Sequence, residues 1–118
     1  MDINECTFSE MVKVYISDFS KVSGKRYTQG SISDSINISR KEFCMGLNKD
    51  IEDIPYKVLY GLYGYINIFM NPITLEDTNK KNYIISLYTR ILNDITCELY
   101  HRESNREFLN SNIPPRQR

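Results

Sequence analysis

Residues 27–47, YTQGSISDSINISRKEFCMGL, decide how this chain folds. Thr28 can cap a helix over residues 29–36, in which Ile32 and Ile36, four apart, share an inward face. Gly30 and Ser31 are weak helix formers, so this helix depends on packing. Asn37 follows. A turn between crossing helices often needs positive φ, and asparagine is the usual substitute for glycine there. Ile38 is expected to be buried in the elbow. Ser39 caps the next helix, and Glu42, three residues on, completes a capping box. Phe43 and Leu47 anchor that helix to the core, which leaves Arg40, Lys41 and Cys44 pointing away from it.

The rest of the chain reads outward from this pair. Residues 1–7 look like a loose leader. Ser9 can cap a helix over residues 10–22, with Met11, Val14, Tyr15, Phe19 and Val22 at helical spacing and Ser23-Gly24 as its stop. A polar loop over residues 48–53 leads to Asp53, a cap, and Pro55, suited to a first turn. In the helix that follows, YKVLYGLYGYI, the inner side is Val58, Leu59, Leu62 and Ile66. Gly61 and Gly64 weaken it or mark close helix contact. A short strand over residues 65–70 competes, because Ile, Phe and Tyr favour strands. After Asn71-Pro72, Thr74 or Asp77 caps a long last helix over residues 79–103. Its Ile84, Tyr88, Ile91 and Ile95 step by four, three and four, a heptad-like seam. The expectation is an all-α, five-helix protein. Residues 1–70 are expected to form one domain built on this helix pair, residues 71–106 a C-terminal helix for dimerisation or core cover, and residues 107–118 a flexible tail.

Composition narrows the function classes. With 41% hydrophobic and 25% charged residues, the 118-residue chain can bury a core and is not disordered throughout. No apolar run approaches a membrane span, and the opening MDINECTFSE lacks a secretion signal, so a cytoplasmic protein is expected. Cys6, Cys44 and Cys97 are scattered and odd in number, which argues for reduced thiols. With His101 as the lone histidine, no metal site is expected, nor any cofactor. No phosphate loop, HExxH or serine elbow is present, so no enzyme is expected. Glu98 and His101 read as a helix-surface pair rather than a catalytic one.

Net charge is zero, but it is unevenly spread. Lys21, Lys25, Arg26, Arg40, Lys41 and Lys49 face only Asp34 and Glu42 within that stretch, while acidic residues flank it on both sides. A neutral protein can thus carry a local positive face. Thr28-Gln29, Ile32-Ser33, Ile36-Asn37-Ile38-Ser39, Phe43 and Leu47 together resemble the lambda-repressor/Cro-like (XRE-like) helix-turn-helix family, without a gap and over about residues 10–68. Pro55, Val58, Leu59, Leu62 and Ile66 look like the helix that follows in that family. This chain departs from the pattern at Asn37 for glycine, at Ser33 for alanine, at Gly30 and Ser31 for acidic helix formers, and in an acidic loop after Leu47.

The resemblance implies a transcriptional regulator, expected to be a repressor, that binds double-stranded DNA as a homodimer. It implies that Gln29 contacts a phosphate and that Arg40, Lys41 and Cys44 face the major groove. Elementary chemistry points the same way. Arginine grips O6 and N7 of guanine with two hydrogen bonds. Lys25 and Lys41 can hold phosphates, and Ser39 with the amides at its helix start can receive another. Ile84, Tyr88, Ile91 and Ile95 are the expected dimer interface. The rival is a small helical protein-binding module, an inhibitor or antitoxin/immunity-type protein of the kind phages and mobile elements encode. Zero net charge and nine tyrosines fit that rival.

Overall fold

Thr7 opens the first helix. Its Oγ1 accepts a hydrogen bond from the Glu10 amide at 3.1 Å, so α1 spans Phe8–Ser23 and begins two residues ahead of the start expected from a Ser9 cap. The computed structural model describes residues 6–76 and 79–111, and among them it holds five α-helices and no strand. The expected leader lies largely outside the described residues, as do Asp77, one of the two caps proposed for the last helix, and residues 112–118 of the expected tail. α1 buries Phe8, Met11, Val12, Tyr15, Ile16 and Phe19. It ends at Gly24, whose φ of 74° places it in the left-handed region and lets its amide reach the Ser20 carbonyl. That is a glycine C-terminal cap, and a side chain there would be strained.

α2, Gln29–Ser35, starts with a complete capping box: Thr28 Oγ1 accepts from the Ser31 amide, and Ser31 Oγ accepts from the Thr28 amide. Its end is the sharpest feature of the fold. Asn37 has φ 61°, the Ile38 amide donates to the Ser33 carbonyl at 3.0 Å, and the Asn37 amide donates to the Asp34 carbonyl at 3.3 Å. This is the paired-bond Schellman arrangement, with asparagine in the seat usually taken by glycine. It closes the helix, sends Ile38 into the core and delivers the chain to Ser39, which caps α3, Arg40–Leu47. The Ser39 hydroxyl accepts from the Glu42 amide as expected, but the Glu42 carboxylate is turned to Lys57.

The loop after α3 holds a 3₁₀ turn, Ile51–Asp53, so Asp53 lies inside that turn instead of capping the next helix. α4, Tyr56–Phe69, begins after Pro55 without a side-chain cap and buries Val58, Leu59, Leu62 and Ile66. It runs through the stretch where a strand competed. The four buried residues keep helical spacing to Ile66, and packing on that stripe overrides local strand preference. At Gly61 the helices close up: a Cβ there would lie 2.8 Å from Ile36 Cδ1. Gly64 faces open space. A second 3₁₀ turn, Pro72–Thr74, precedes α5, Lys81–Ser111. α5 runs past the end expected at residue 103 and takes in 107–111, the start of the expected tail, because no proline or glycine interrupts the sequence before Pro114.

α5 packs against α1, α4 and both 3₁₀ turns. Ile84, Ile91 and Ile95 are fully buried and Leu87 nearly so, within one cluster that also holds Met11, Tyr15, Phe19, Leu59 and Ile66. This corrects the expected dimer seam. Ile84, Ile91 and Ile95 are spent on the chain's own core. Tyr88, half-buried, donates through its hydroxyl to Asn67 Oδ1 at 2.8 Å and accepts from Asn71 Nδ2. The stripe on α5 is the lid that α1 and α4 require. Two further ties hold it. The buried Tyr15 hydroxyl donates to the Met70 carbonyl, and burial pushes that phenol far above its ordinary pKa. At the other end, the Arg102 guanidinium donates to the carbonyls of Ile51, Glu52 and Ile54, with Nε on Glu98 Oε1 at 3.1 Å.

Two outcomes follow from this packing. Asn37→Ala is expected to lower stability in urea unfolding by up to about 1 kcal/mol, because alanine tolerates the left-handed region less well than asparagine, while Asn37→Gly leaves it unchanged or raises it. Ile91→Asp is expected to unfold the chain, since it buries a lone charge. A folded Ile91→Asp monomer, with native circular dichroism and a halved mass in light scattering, would instead mean that the seam faces a second copy.

Candidate nucleic-acid interface

Short helices gain their orientation from what they bury. α3 commits Phe43, Gly46 and Leu47 to the interior. Gly46 allows this, since a Cβ there would lie 3.2 Å from Pro55 Cδ and 3.3 Å from Val58 Cγ2, so α3 lies tight against the start of α4. The remaining surface of α3 and its cap carries Ser39, Arg40, Lys41 and Met45, all exposed, with Glu42, paired to Lys57, and Cys44 half-buried. The stacking of α3 on α2 and α4 therefore leaves one edge of the helix open. Lys41 and Lys49 line a shallow groove along that edge with Met45 and Pro55.

Arg40 does not project freely. Its Nη2 donates to Asp34 Oδ2 at 2.7 Å and its Nε to Asp34 Oδ1 at 3.3 Å, which folds the guanidinium back onto α2. It lies across Gly30: a Cβ there would sit 3.2 Å from both Cζ and Nε of Arg40. The pair is exposed, 69% for Arg40 and 58% for Asp34, so its contribution to stability is small. It also shows in how the two groups titrate. The hydrogen bond from Arg40 holds the Asp34 carboxyl below its ordinary value of 3.8, and Asp34 raises the guanidinium in return. The two cations that open α3 are thus unequal. Lys41 has no ion-pair partner among the described residues, whereas Arg40 is already answered by a carboxylate.

Gln29, half-buried at the start of α2, shares a surface groove with Thr28 and with Lys13 and Lys21 of α1. Lys13 also donates to Asn48 Oδ1, at the end of α3. α1 therefore lays two lysines beside α2 and α3. Sequence reasoning passed over Lys13, which reads as one more polar residue on an amphipathic helix; only the crossing of α1 over the helix pair gives it a place. Lys25 has a different setting. It is exposed, but it lines a different cleft, with Phe19, Tyr27, Phe69 and Leu75, between the ends of α1 and α4.

The remaining candidates are quickly placed. Cys6, Cys44 and Cys97 are thiols. Among the described residues no group of three His, Cys, Asp or Glu side chains is placed to hold a metal ion. Glu98 is engaged by Arg102, and His101 Nε2 lies 3.2 Å from Asn105 Nδ2, so each has a partner other than the one expected. No helix among the described residues is long and apolar enough to cross a membrane. Comparison with protein-family models, with curated proteins and with solved structures found no match for this chain.

The Arg40–Asp34 pair has a pH signature. A carboxyl held below its ordinary value favours the folded pairing above the unpaired pKa, and the pairing is lost as pH falls through the lowered value. Carbonyl-carbon NMR titration is expected to show Asp34 titrating below 3.8, and Arg40→Ala is expected to return it toward that value.

Proposed function

We propose that this protein is a sequence-specific double-stranded DNA-binding regulator of the lambda-repressor/Cro-like helix-turn-helix kind, and that it acts as a repressor. α3 is the recognition helix. The observation that carries the reading is the open edge of α3: an eight-residue helix with its inner face committed at Phe43, Gly46 and Leu47, and Ser39, Arg40, Lys41 and Met45 left exposed along one side. A helix so mounted fits the major groove of B-DNA, which admits one α-helix and offers a distinct donor and acceptor pattern for each base pair. Arg40 reads a guanine, Lys41 holds a phosphate, and Ser39 lies at the helix start where a further phosphate can be received. Cys44, half-buried on the same helix, borders the groove wall. Gln29 with Lys13 and Lys21 grips the backbone beyond the helix pair. A homodimer on a two-fold site remains the preferred assembly, formed through a surface other than Ile84, Ile91 and Ile95.

A second reading rests on its own observation. Tyr56 and Tyr60 stack 5.6 Å apart on the outer face of α4, 60% and 61% exposed, and Ile68, Phe69 and Ile73 are also exposed. Exposed aromatic and aliphatic side chains on a neutral protein suit a protein-binding module.

A random-oligonucleotide selection tests the first reading. The chain is expected to enrich one sequence class, with binding that weakens steeply as salt rises; about three phosphate contacts correspond to a log–log slope of about −3. Arg40→Ala with Lys41→Ala is expected to abolish specific binding while far-UV circular dichroism stays native. No enrichment at low salt, together with no retention on heparin, would overturn the DNA reading and favour the protein-binding one.

A further inference from the structure

The guanidinium that leads α3 is held, and the manner of holding decides what it can still do. Arginine offers five N–H donors: one on Nε and two on each Nη. Asp34 takes the Nε donor and one donor of Nη2, the side-on edge of the fork. Both donors of Nη1 and the second of Nη2 remain, which is the end-on edge. Two parallel donors on that edge match the O6 and N7 acceptors of a single guanine and no other base edge in the major groove.

We propose that Asp34 is a positioning residue that sets base specificity: its carboxylate locks Arg40 across Gly30 and presents the end-on edge to one guanine. This rests on the DNA-binding reading above. Three features of the chain support it together. Asp34 is the next-to-last residue of α2, and the Schellman turn at Asn37, which bonds the Asp34 carbonyl, fixes it relative to the start of α3. Gly30, a poor helix former, occupies a place where a Cβ would crowd the flat guanidinium at 3.2 Å. The pair stays exposed at 69% and 58%, so the free edge can meet a ligand without unburying anything. A carboxylate this close to DNA weakens attraction to phosphate; its compensation is that the arginine is biased toward one orientation before binding. The physical alternative is that Asp34 merely screens Arg40 until DNA displaces it, and the two predict opposite results.

The experiment is a double-mutant cycle on the site selected by the wild-type chain, comparing Asp34→Asn, Arg40→Lys and the double variant, each on DNA with guanine or another base at the Arg40 position. Asp34→Asn is expected to cut the preference for guanine about tenfold or more while general affinity holds or rises. Arg40→Lys, which keeps the charge and loses the fork, is expected to abolish that preference and to make Asp34→Asn silent on it. If Asp34→Asn strengthens binding to every sequence equally and leaves the guanine preference intact, or if its effect persists in the Arg40→Lys background, the positioning role is wrong while the DNA reading stands. If the wild-type chain selects no site at all, the DNA reading falls and this inference with it.

Discussion

One backbone conformation organises this molecule. Asn37 sits at φ 61° so that the chain can leave α2, drop Ile38 into the core and start α3 after a four-residue connection. Two hydrogen bonds, from Ile38 to Ser33 and from Asn37 to Asp34, close the turn. Most residues with a Cβ disfavour this region; asparagine tolerates it better than most. The direction of α3 follows from that turn. Phe43 and Leu47 can reach the core only if the helix leaves the elbow at this angle, and the opposite edge is exposed for the same reason.

The C-terminal half is part of the same object. α1 and α4 each present a wide apolar face, and two helices cannot cover both. α5 supplies Ile84, Leu87, Ile91 and Ile95 to that space. Heptad-like spacing is ambiguous by nature, because the same stripe suits a partner chain or the chain's own core. What settles it is the number of open faces left elsewhere. Arg102 adds a polar seal: its Nη2 shares its donors among three carbonyls around the 3₁₀ turn after α3, one of which, that of Ile51, also accepts from the Ile54 amide. The far end of the last helix thus steadies the loop that follows the exposed helix.

Net neutrality hides a structured charge pattern. Lys13 and Lys21 of α1 stand beside Gln29, and Lys41 and Lys49 stand along α3. Glu42 turns to Lys57 and Asp34 turns to Arg40, so both acidic residues in the positive stretch are used within the fold. Counting charges along the chain treats all cations as equal. Pairing makes them unequal, since a guanidinium held by a carboxylate has a fixed orientation and a smaller field at distance.

The sequence by itself determined the elements and the elbow. Local rules of capping, spacing and left-handed tolerance are read within a few residues, so Ser39 as a cap, Asn37 as the turn, Gly24 as the stop and the four-residue stripe of α4 were all legible. It also determined which residues of α3 turn inward, because Phe43 and Leu47 repeat at helical period. Tertiary structure alone decided what crosses what. Whether Ile84 to Ile95 cover the chain's own core, whether Arg40 points outward or back onto Asp34, whether Lys13 joins the surface of α2 and whether Lys25 leaves it all depend on residues far apart in sequence meeting in space. No periodicity encodes such a meeting, since it is set by how the helices share one limited volume of apolar interior.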